Sequence, residues 1–116
     1  MILKGTLVLG GLNSGKTIFT NRYLEHFSIN EIYRVRDYNL DNVPLQTKIL
    51  VFEDVHTKEA IRLGIQVLNI GLTSLDGNHI INPEIIITSP NLTLEDLKPL
   101  RDDINQVFQI INPVRL

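Results

Sequence analysis

Two short stretches of the sequence carry residue types that suit phosphate and metal chemistry. The first, 10–17, fits the pattern Gly-x4-Gly-Lys-[Ser/Thr] at every fixed position. Glycines let the backbone turn with positive φ and bring successive N–H groups close to phosphate oxygens. Lys16 would then reach the β- and γ-phosphates of a nucleotide, and the Thr17 hydroxyl would bind Mg²⁺, a hard ion that takes few protein oxygens. The residues predicted to surround the phosphates are Gly10, Gly11, Leu12, Asn13, Ser14, Gly15, Lys16, Thr17 and Ile18.

In the second stretch, two carboxylates directly follow an apolar run. Residues 49–52 are Ile-Leu-Val-Phe, and Glu53 and Asp54 come next. This pattern is typical of a buried parallel strand whose carboxyl end lies at the ligand-binding edge of a sheet. If the bound nucleotide is hydrolysed at its γ-phosphate, one carboxylate must hold Mg²⁺ and another must polarise the attacking water. We predict that Glu53 binds the metal and Asp54 the water. Alternatively, Asp54 binds the metal and leaves only Glu59 as a second acid, or the pair is simply solvated at a strand end.

The elements around these stretches must bring them together. The apolar, β-branched run 2–9 predicts a buried strand before the glycines, and apolar residues at helical spacing predict a helix after Thr17. A phosphate-binding loop requires this position between a strand and a helix N-terminus. Further strands are expected at 31–36, 49–52, 83–89 and 105–111, and further helices at 57–75 and 93–101. The order predicts an α/β fold, a three-layer sandwich with a mainly parallel five-stranded sheet in a single domain, 1–116.

Length, charge and composition narrow the possible functions. A chain of 116 residues forms about one domain. Eleven basic and thirteen acidic side chains give a net charge of −2, so any DNA contact must be local or be built by several copies. Absence of cysteine excludes disulfides and thiolate metal sites. No signal-peptide pattern and no apolar run of about 18 residues is present, so we expect a cytoplasmic protein with no membrane segment.

Taken together, the order of elements and motifs resembles the RecA-like core of P-loop NTPases with an additional strand, over nearly the whole chain. Within that group, 51–56, 85–89 and 97–105 are similar to segments of FtsK/HerA-type ATPases, which include viral genome-packaging and phage assembly ATPases. The segment 85–91 also resembles the third motif of superfamily 3 viral helicases. Two departures are the order Glu53-Asp54, inverse to the usual one, and Ser-Pro-Asn where the family usually has Gln.

The resemblance implies a Mg²⁺-dependent ATPase that acts in DNA packaging, translocation or unwinding. It implies a sensor for the γ-phosphate or the water at the end of strand 83–89, where Thr88, Ser89 and Asn91 are candidates; a turn that caps the next helix is the alternative. It also implies a homo-oligomer or a subunit of a larger assembly, in which a neighbour's arginine completes the site. Arg101 is the first candidate, followed by Arg62 and Arg115.

Two other functions remain open from the sequence. The low net charge, the inverted acid pair and the small size favour a nucleotide-binding or switch module with weak or no hydrolysis, which acts through a protein partner. A nucleotide kinase is less favoured, because no arginine-rich lid follows Asp54. No guanine-selective Asn-Lys-x-Asp motif is present, which favours ATP over GTP. His56 either contributes to the site or simply caps the helix that follows.

Overall fold

The computed structural model describes residues 3–11 and 15–111. Of the predicted site residues, Leu12, Asn13, Ser14 and Arg115 therefore lie outside the described residues. The strands are β1 (Gly5–Leu9), β2 (Ile32–Arg34), β3 (Ile49–Phe52), β4 (Leu72–Thr73), β5 (Ile80–Ile81), β6 (Glu84–Ser89) and β7 (Phe108–Ile111). The helices are α1 (Lys16–Leu24), α2 (Glu59–Ile70) and α3 (Arg101–Val107), with 3₁₀ turns at Ile29–Glu31 and Lys98–Leu100.

Five of the strands form one sheet in the order β2-β3-β6-β1-β7, and every neighbouring pair is parallel. The predicted α/β fold with a five-stranded parallel sheet is confirmed. The strand β6 lies between β1 and β3, with Leu7 opposite Ile87 and Leu50 opposite Ile85. The sheet thus separates the strand before the glycines from the strand before the acids by one strand.

Apolar side chains cover both faces of this sheet, because successive residues of a strand point to opposite faces. On one face, Leu7, Leu50 and Ile87 pack with Ile61 of α2 and Ile104 of α3. On the other face lies a second cluster, with Val8, Val51, Ile86, and Phe19 and Leu24 of α1. The two clusters give the predicted three layers, with α1 on one side and α2 and α3 on the other.

The predicted helix 57–75 is wrong at its C-terminal end. Helix α2 ends at Ile70, because Gly71 adopts φ +80°, a conformation that glycine favours. The apolar residues that follow form the antiparallel hairpin of β4 and β5, with Leu72 opposite Ile81. The apolar residues for which the sequence predicts one long helix therefore belong to two different elements. No described helix combines the length and the apolarity needed to cross a membrane.

The predicted helix 93–101 and strand 105–111 are also shifted. The Asp96 carboxylate accepts hydrogen bonds from the N–H and hydroxyl of Thr93, as a helix cap would, but only a turn follows. Pro99 lies in the 3₁₀ turn, and α3 begins after it at Arg101. The helix runs to Val107 and leaves only four residues for β7. A proline is tolerated at a helix start and not in its interior, which explains the shift.

Candidate functional site

The candidate site lies at the edge of the sheet where its parallel strands end. Gly10 follows β1, Glu53 follows β3, and Pro90 follows β6, so all three segments lie at the same edge. Neighbouring strands lie about 4.8 Å apart, which places β1 and β3 roughly 10 Å apart across β6. A phosphate group with a metal ion can span this distance between the β1–α1 loop and the acids.

The described part of the phosphate loop fits an anion. Gly15 adopts φ 92° and ψ 11°, a left-handed conformation, directly before α1. No described side chain caps the N-terminus of α1, and its first turn contains no acidic residue. The first N–H groups of the helix and its dipole therefore favour negative charge. Thr17 and Ile18 are exposed in that first turn, where Thr17 can offer its hydroxyl to a ligand.

Lys16 is turned back over the loop. Its Nζ donates a hydrogen bond to the carbonyl oxygen of Gly11 at 2.8 Å, and the residue is 8% exposed. A nearly buried ammonium with one carbonyl partner keeps two N–H donors for an incoming anion. The positive charge of Lys16, which the motif assigns to phosphate binding, therefore lies beside Gly11.

The two predicted acids have different partners. The Glu53 carboxylate accepts a hydrogen bond from Nη1 of Arg34, the last residue of β2. Asp54 adopts φ 53°, and its N–H donates to the Thr88 hydroxyl at 2.9 Å. Within the described part of the chain, the Asp54 carboxylate accepts no hydrogen bond, so it remains open to a ligand. Both acids are exposed.

Thr88 and Ser89, the predicted sensors, hold the acid-bearing segment. Besides the bond of its hydroxyl to Asp54, Thr88 accepts the N–H of Val55 at its carbonyl oxygen at 2.9 Å. The fully buried Ser89 donates its hydroxyl to the Val55 carbonyl oxygen at 2.7 Å and accepts the N–H of Leu92 at 3.0 Å. The described contacts of both side chains are therefore with their own chain, and a contact with the γ-phosphate stays a prediction.

His56 and Asn91 connect the same two segments. Nδ2 of Asn91 donates to the His56 carbonyl oxygen at 3.3 Å, and Oδ1 of Asn91 lies 3.0 Å from Nδ1 of His56. With the amide nitrogen on the carbonyl, Oδ1 is the acceptor and the His56 Nδ1–H is the donor. Asn91 also lines a cavity of about 420 Å³ beside Gly10 and Gly11. Asn91 therefore lies next to the phosphate loop, as does Ser89, whose carbonyl oxygen accepts the Gly10 N–H at 3.3 Å.

The two described candidate arginines, Arg101 and Arg62, have surroundings other than Glu53 and Asp54. Arg101 begins α3 and lines an apolar cleft of about 390 Å³ with Ile104 and Ile110. This cleft shares Leu94 and Glu95 with the cavity beside Gly10 and Gly11. Arg62 pairs with Glu59 on α2 at 3.1 Å, so Glu59, the alternative second acid, already has a partner. That Arg101 completes the site of a neighbouring subunit stays a prediction.

Sequence reasoning missed the segment that follows β2. Asp37 and Tyr38 line a cavity of about 270 Å³ together with Glu53, Asp54 and His56. In the described ranges, Asp37, Tyr38 and Asp54 are the only non-glycine residues with positive φ, at 53°, 55° and 53°. Left-handed residues of this kind are concentrated at functional sites. The sequence signal for this segment was only its loop composition.

The donor atoms at this edge suit Mg²⁺ and a triphosphate. The Thr17 hydroxyl and the carboxylates of Glu53 and Asp54 are oxygen ligands of the kind that Mg²⁺ prefers. No described group of three or more His, Asp or Glu side chains is arranged to hold a metal ion by itself. In nucleotide sites Mg²⁺ takes one or two protein ligands and completes its shell with phosphate oxygens and water. The residues present therefore fit the metal together with its nucleotide.

Comparisons with known proteins assign no family to this chain. No family model matches the chain, and a search of curated proteins finds no significant match.

Proposed function

We propose that the protein is a P-loop NTPase with a RecA-like core, which binds Mg²⁺·ATP after β1 and hydrolyses it. The observation that carries the proposal is the strand order. With β6 between β1 and β3, the Gly-Lys-Thr loop, the acid pair and the polar residues after β6 share one edge of the sheet. The position of β6 between β1 and β3 supports the resemblance to P-loop NTPases with an additional strand.

The residues divide the chemistry between them. The N-terminus of α1 and Lys16 bind the phosphates, and Lys16 exchanges its bond to the Gly11 carbonyl for phosphate oxygens. Thr17 and Glu53 hold Mg²⁺, which neutralises charge on the phosphates when bound. Asp54 orients the water whose oxygen forms a bond to the γ-phosphorus. The bond from that phosphorus to the bridging oxygen breaks, which yields ADP, inorganic phosphate and a proton.

The energy of hydrolysis would serve work on DNA, namely packaging, translocation or unwinding, in an assembly of several copies. Because the net charge is −2, the DNA contact would be local or shared between copies. Arg101 is exposed at the start of α3 and open to a neighbouring subunit. An arginine from a neighbour stabilises charge on the transferred phosphoryl group.

A second function, a nucleotide switch with weak or no hydrolysis, gains support from the engaged side chains. Glu53 is paired with Arg34, and Thr88 and Ser89 bond within the chain. With Glu53 paired in this way, the site would bind ATP but lack its metal-binding carboxylate, and turnover would be slow. A protein partner would then bind the nucleotide-bound form in preference to the nucleotide-free form.

Steady-state phosphate release from Mg²⁺·ATP separates the two functions. The wild type is assayed alone and with single- or double-stranded DNA, beside Lys16→Ala and Asp54→Asn. Lys48→Ala, at the opposite end of β3, is the matched lysine control and should retain wild-type turnover. Turnover that both site variants lose supports the ATPase, and stimulation by DNA supports the motor. ATP binding without turnover, lost in Lys16→Ala, contradicts the motor and supports the switch.

A further inference from the structure

The two adjacent acids are held by opposite neighbours of β3. Arg34 belongs to β2, on the outer side of β3, and binds the Glu53 carboxylate. Thr88 belongs to β6, on the inner side, and binds the N–H of Asp54. Since β6 lies between β3 and β1, Asp54 is tied toward the phosphate loop and Glu53 is tied away from it.

The guanidinium of Arg34 opposes a metal ion at Glu53 in two ways. It occupies the carboxylate with a charge-assisted hydrogen bond, which is stronger than a neutral one. It also places a positive charge beside the oxygens that a divalent cation would need, and like charges repel. The hydrogen bond is to Oε1 of Glu53 alone, so Mg²⁺ at Glu53 competes with the pair between Arg34 and Glu53.

The ion pair between Arg34 and Glu53 is weak enough for a ligand to break. The side chains of Arg34 and Glu53 are 53% and 45% exposed, and exposed ion pairs contribute little because water competes for both partners. The nucleotide brings Mg²⁺ together with four negative charges, which can draw the metal to Glu53 and the guanidinium away from it. The ion pair thus holds Glu53 away from the phosphate loop before the ligand binds, and Mg²⁺ with the nucleotide can break it.

We propose that Arg34 is a positioning residue that withholds Glu53 from the metal until Mg²⁺ and nucleotide arrive together. The inference rests on the proposed function, because it concerns the metal ligand of that same site. In its simplest consequence, removing Arg34 frees Glu53 and lets the site take up Mg²⁺ at lower concentration. The effect is at most about fivefold, which is the ~1 kcal/mol ceiling of an exposed pair at 1.4 kcal/mol per tenfold.

A matched ion pair lies at the opposite ends of the same two strands. Lys48, directly before β3, binds Glu31, directly before β2, at 3.0 Å. Its lysine is 66% exposed, comparable to Arg34. Lys48→Gln therefore removes one positive charge and one exposed pair from β2 and β3 without touching the acids at the candidate site.

The test measures Mg²⁺ uptake without turnover. A fluorescent, non-hydrolysable ATP analogue is held at fixed concentration while Mg²⁺ is titrated, and the midpoint of analogue binding is compared between variants. Binding of Mg²⁺ to the free analogue is the same in every titration and cancels in the comparison. The variants are Arg34→Gln, Arg34→Lys, Glu53→Gln, Lys48→Gln and the double variant Arg34→Gln/Glu53→Gln, each checked by its thermal unfolding midpoint.

We expect Arg34→Gln to lower the Mg²⁺ midpoint by two- to fivefold. Arg34→Lys, which keeps the charge, should stay near the wild type, and Lys48→Gln should not shift. Glu53→Gln should raise the midpoint, and the double variant should equal Glu53→Gln alone, because Arg34 acts only through Glu53. A purely structural role of Arg34 would lower the unfolding midpoint and would not depend on Glu53.

Three results would overturn the inference alone: an unchanged midpoint in Arg34→Gln, an equal shift in Lys48→Gln, or a shift by Arg34→Gln that persists without Glu53. An unchanged midpoint in Glu53→Gln would assign the metal to Asp54 and also overturn it. Absence of analogue binding in the wild type at every Mg²⁺ concentration would instead overturn the proposed function, and the inference with it.

Discussion

The polar groups after β1 and those after β3 and β6 lie at one edge of the sheet but are used differently. After β1, among the residues that the structure describes, Lys16 donates to the Gly11 carbonyl oxygen and no side chain caps the N-terminus of α1. After β3, both acids and the segment behind them are held by hydrogen bonds from neighbouring strands. The first region is open to a ligand, whereas the second is positioned in advance.

The difference indicates how such a site divides binding from chemistry. Phosphate binding depends on backbone N–H groups and one lysine, which need only be free to turn toward the anion. Hydrolysis depends on placing a carboxylate within hydrogen-bond reach of a water, where small displacements cost rate. We therefore expect Thr88 and Ser89, which hold the segment that carries Asp54, to affect stability and turnover more than affinity.

Ser89→Ala tests this comparison with the largest expected effect on stability. The substitution leaves the Val55 carbonyl and the Leu92 N–H without their buried partner. We expect the free energy of unfolding to fall by about 2 kcal/mol and the thermal midpoint by roughly 8 °C. Ser28→Ala, at the exposed cap of the first 3₁₀ turn, should cost less. Equal losses in urea titrations of the two variants would contradict a special role of the β6 end.

Thr88→Val separates turnover from binding. Valine keeps the shape of the side chain but removes the acceptor of the Asp54 N–H. We expect kcat to fall by about tenfold, or ~1.4 kcal/mol, with little change in the affinity for ATP. The control is Thr20→Val on α1, whose buried hydroxyl has no described partner, so its loss should not destabilise the protein. A matching loss of affinity in Thr88→Val would show that the two regions are not separate.

Substitutions of Asp54 separate its carboxylate from its backbone conformation. Asparagine tolerates φ near +53°, whereas alanine does not. Asp54→Asn and Asp54→Ala should both abolish hydrolysis, but only Asp54→Ala should lose about 1 kcal/mol of stability. Denaturant titration beside phosphate release checks both parts. Equal stability of the two variants would show that the left-handed conformation is not maintained in solution.

The smallest expected effect lies outside the site, in the hairpin turn between β4 and β5. The Ser74 hydroxyl, followed by the Asn78 N–H and then His79, lowers the pKa of Asp76 to about 2. Because the folded-state pKa is depressed, this contribution is present above pH 4 and is lost as the pH falls through about 2. The stability difference between wild type and Asp76→Asn, measured in urea, should therefore shrink from pH 6 to pH 2. A constant difference would contradict the pKa shift.

The sequence predicted the parts of this fold that local patterns determine. The positive φ of Gly10 and Gly15 follows from the glycine pattern, and strands β1, β3 and β6 follow from apolar runs. The prediction from sequence was wrong where one apolar run spans two elements. At Gly71, the run with helical spacing continues beyond the helix into a hairpin. The prediction was also wrong at Pro99, where a capping pattern closed a turn and the helix began later.

The sequence places the candidate acids at the end of a strand, but it does not predict their contacts. The acids were found because they follow an apolar strand, but their partners are distant in sequence: Arg34 is 19 residues from Glu53, and Thr88 is 34 residues from Asp54. Those contacts depend on which strands are neighbours, and no local pattern fixes that order. The same holds for His56 and Asn91, which meet across β3 and β6.

The central claim is that the loop after β1 binds a nucleotide, and isothermal titration with the Mg²⁺ complex of a non-hydrolysable ATP analogue tests it most directly. Lys16 is nearly buried at the loop, so its loss should cost 2 kcal/mol or more, roughly a 30-fold weaker binding. We predict saturable one-site binding by the wild type and by Lys48→Ala, and binding at least 30-fold weaker by Lys16→Ala. No binding by a folded wild type, or equal binding by Lys16→Ala, would contradict the account.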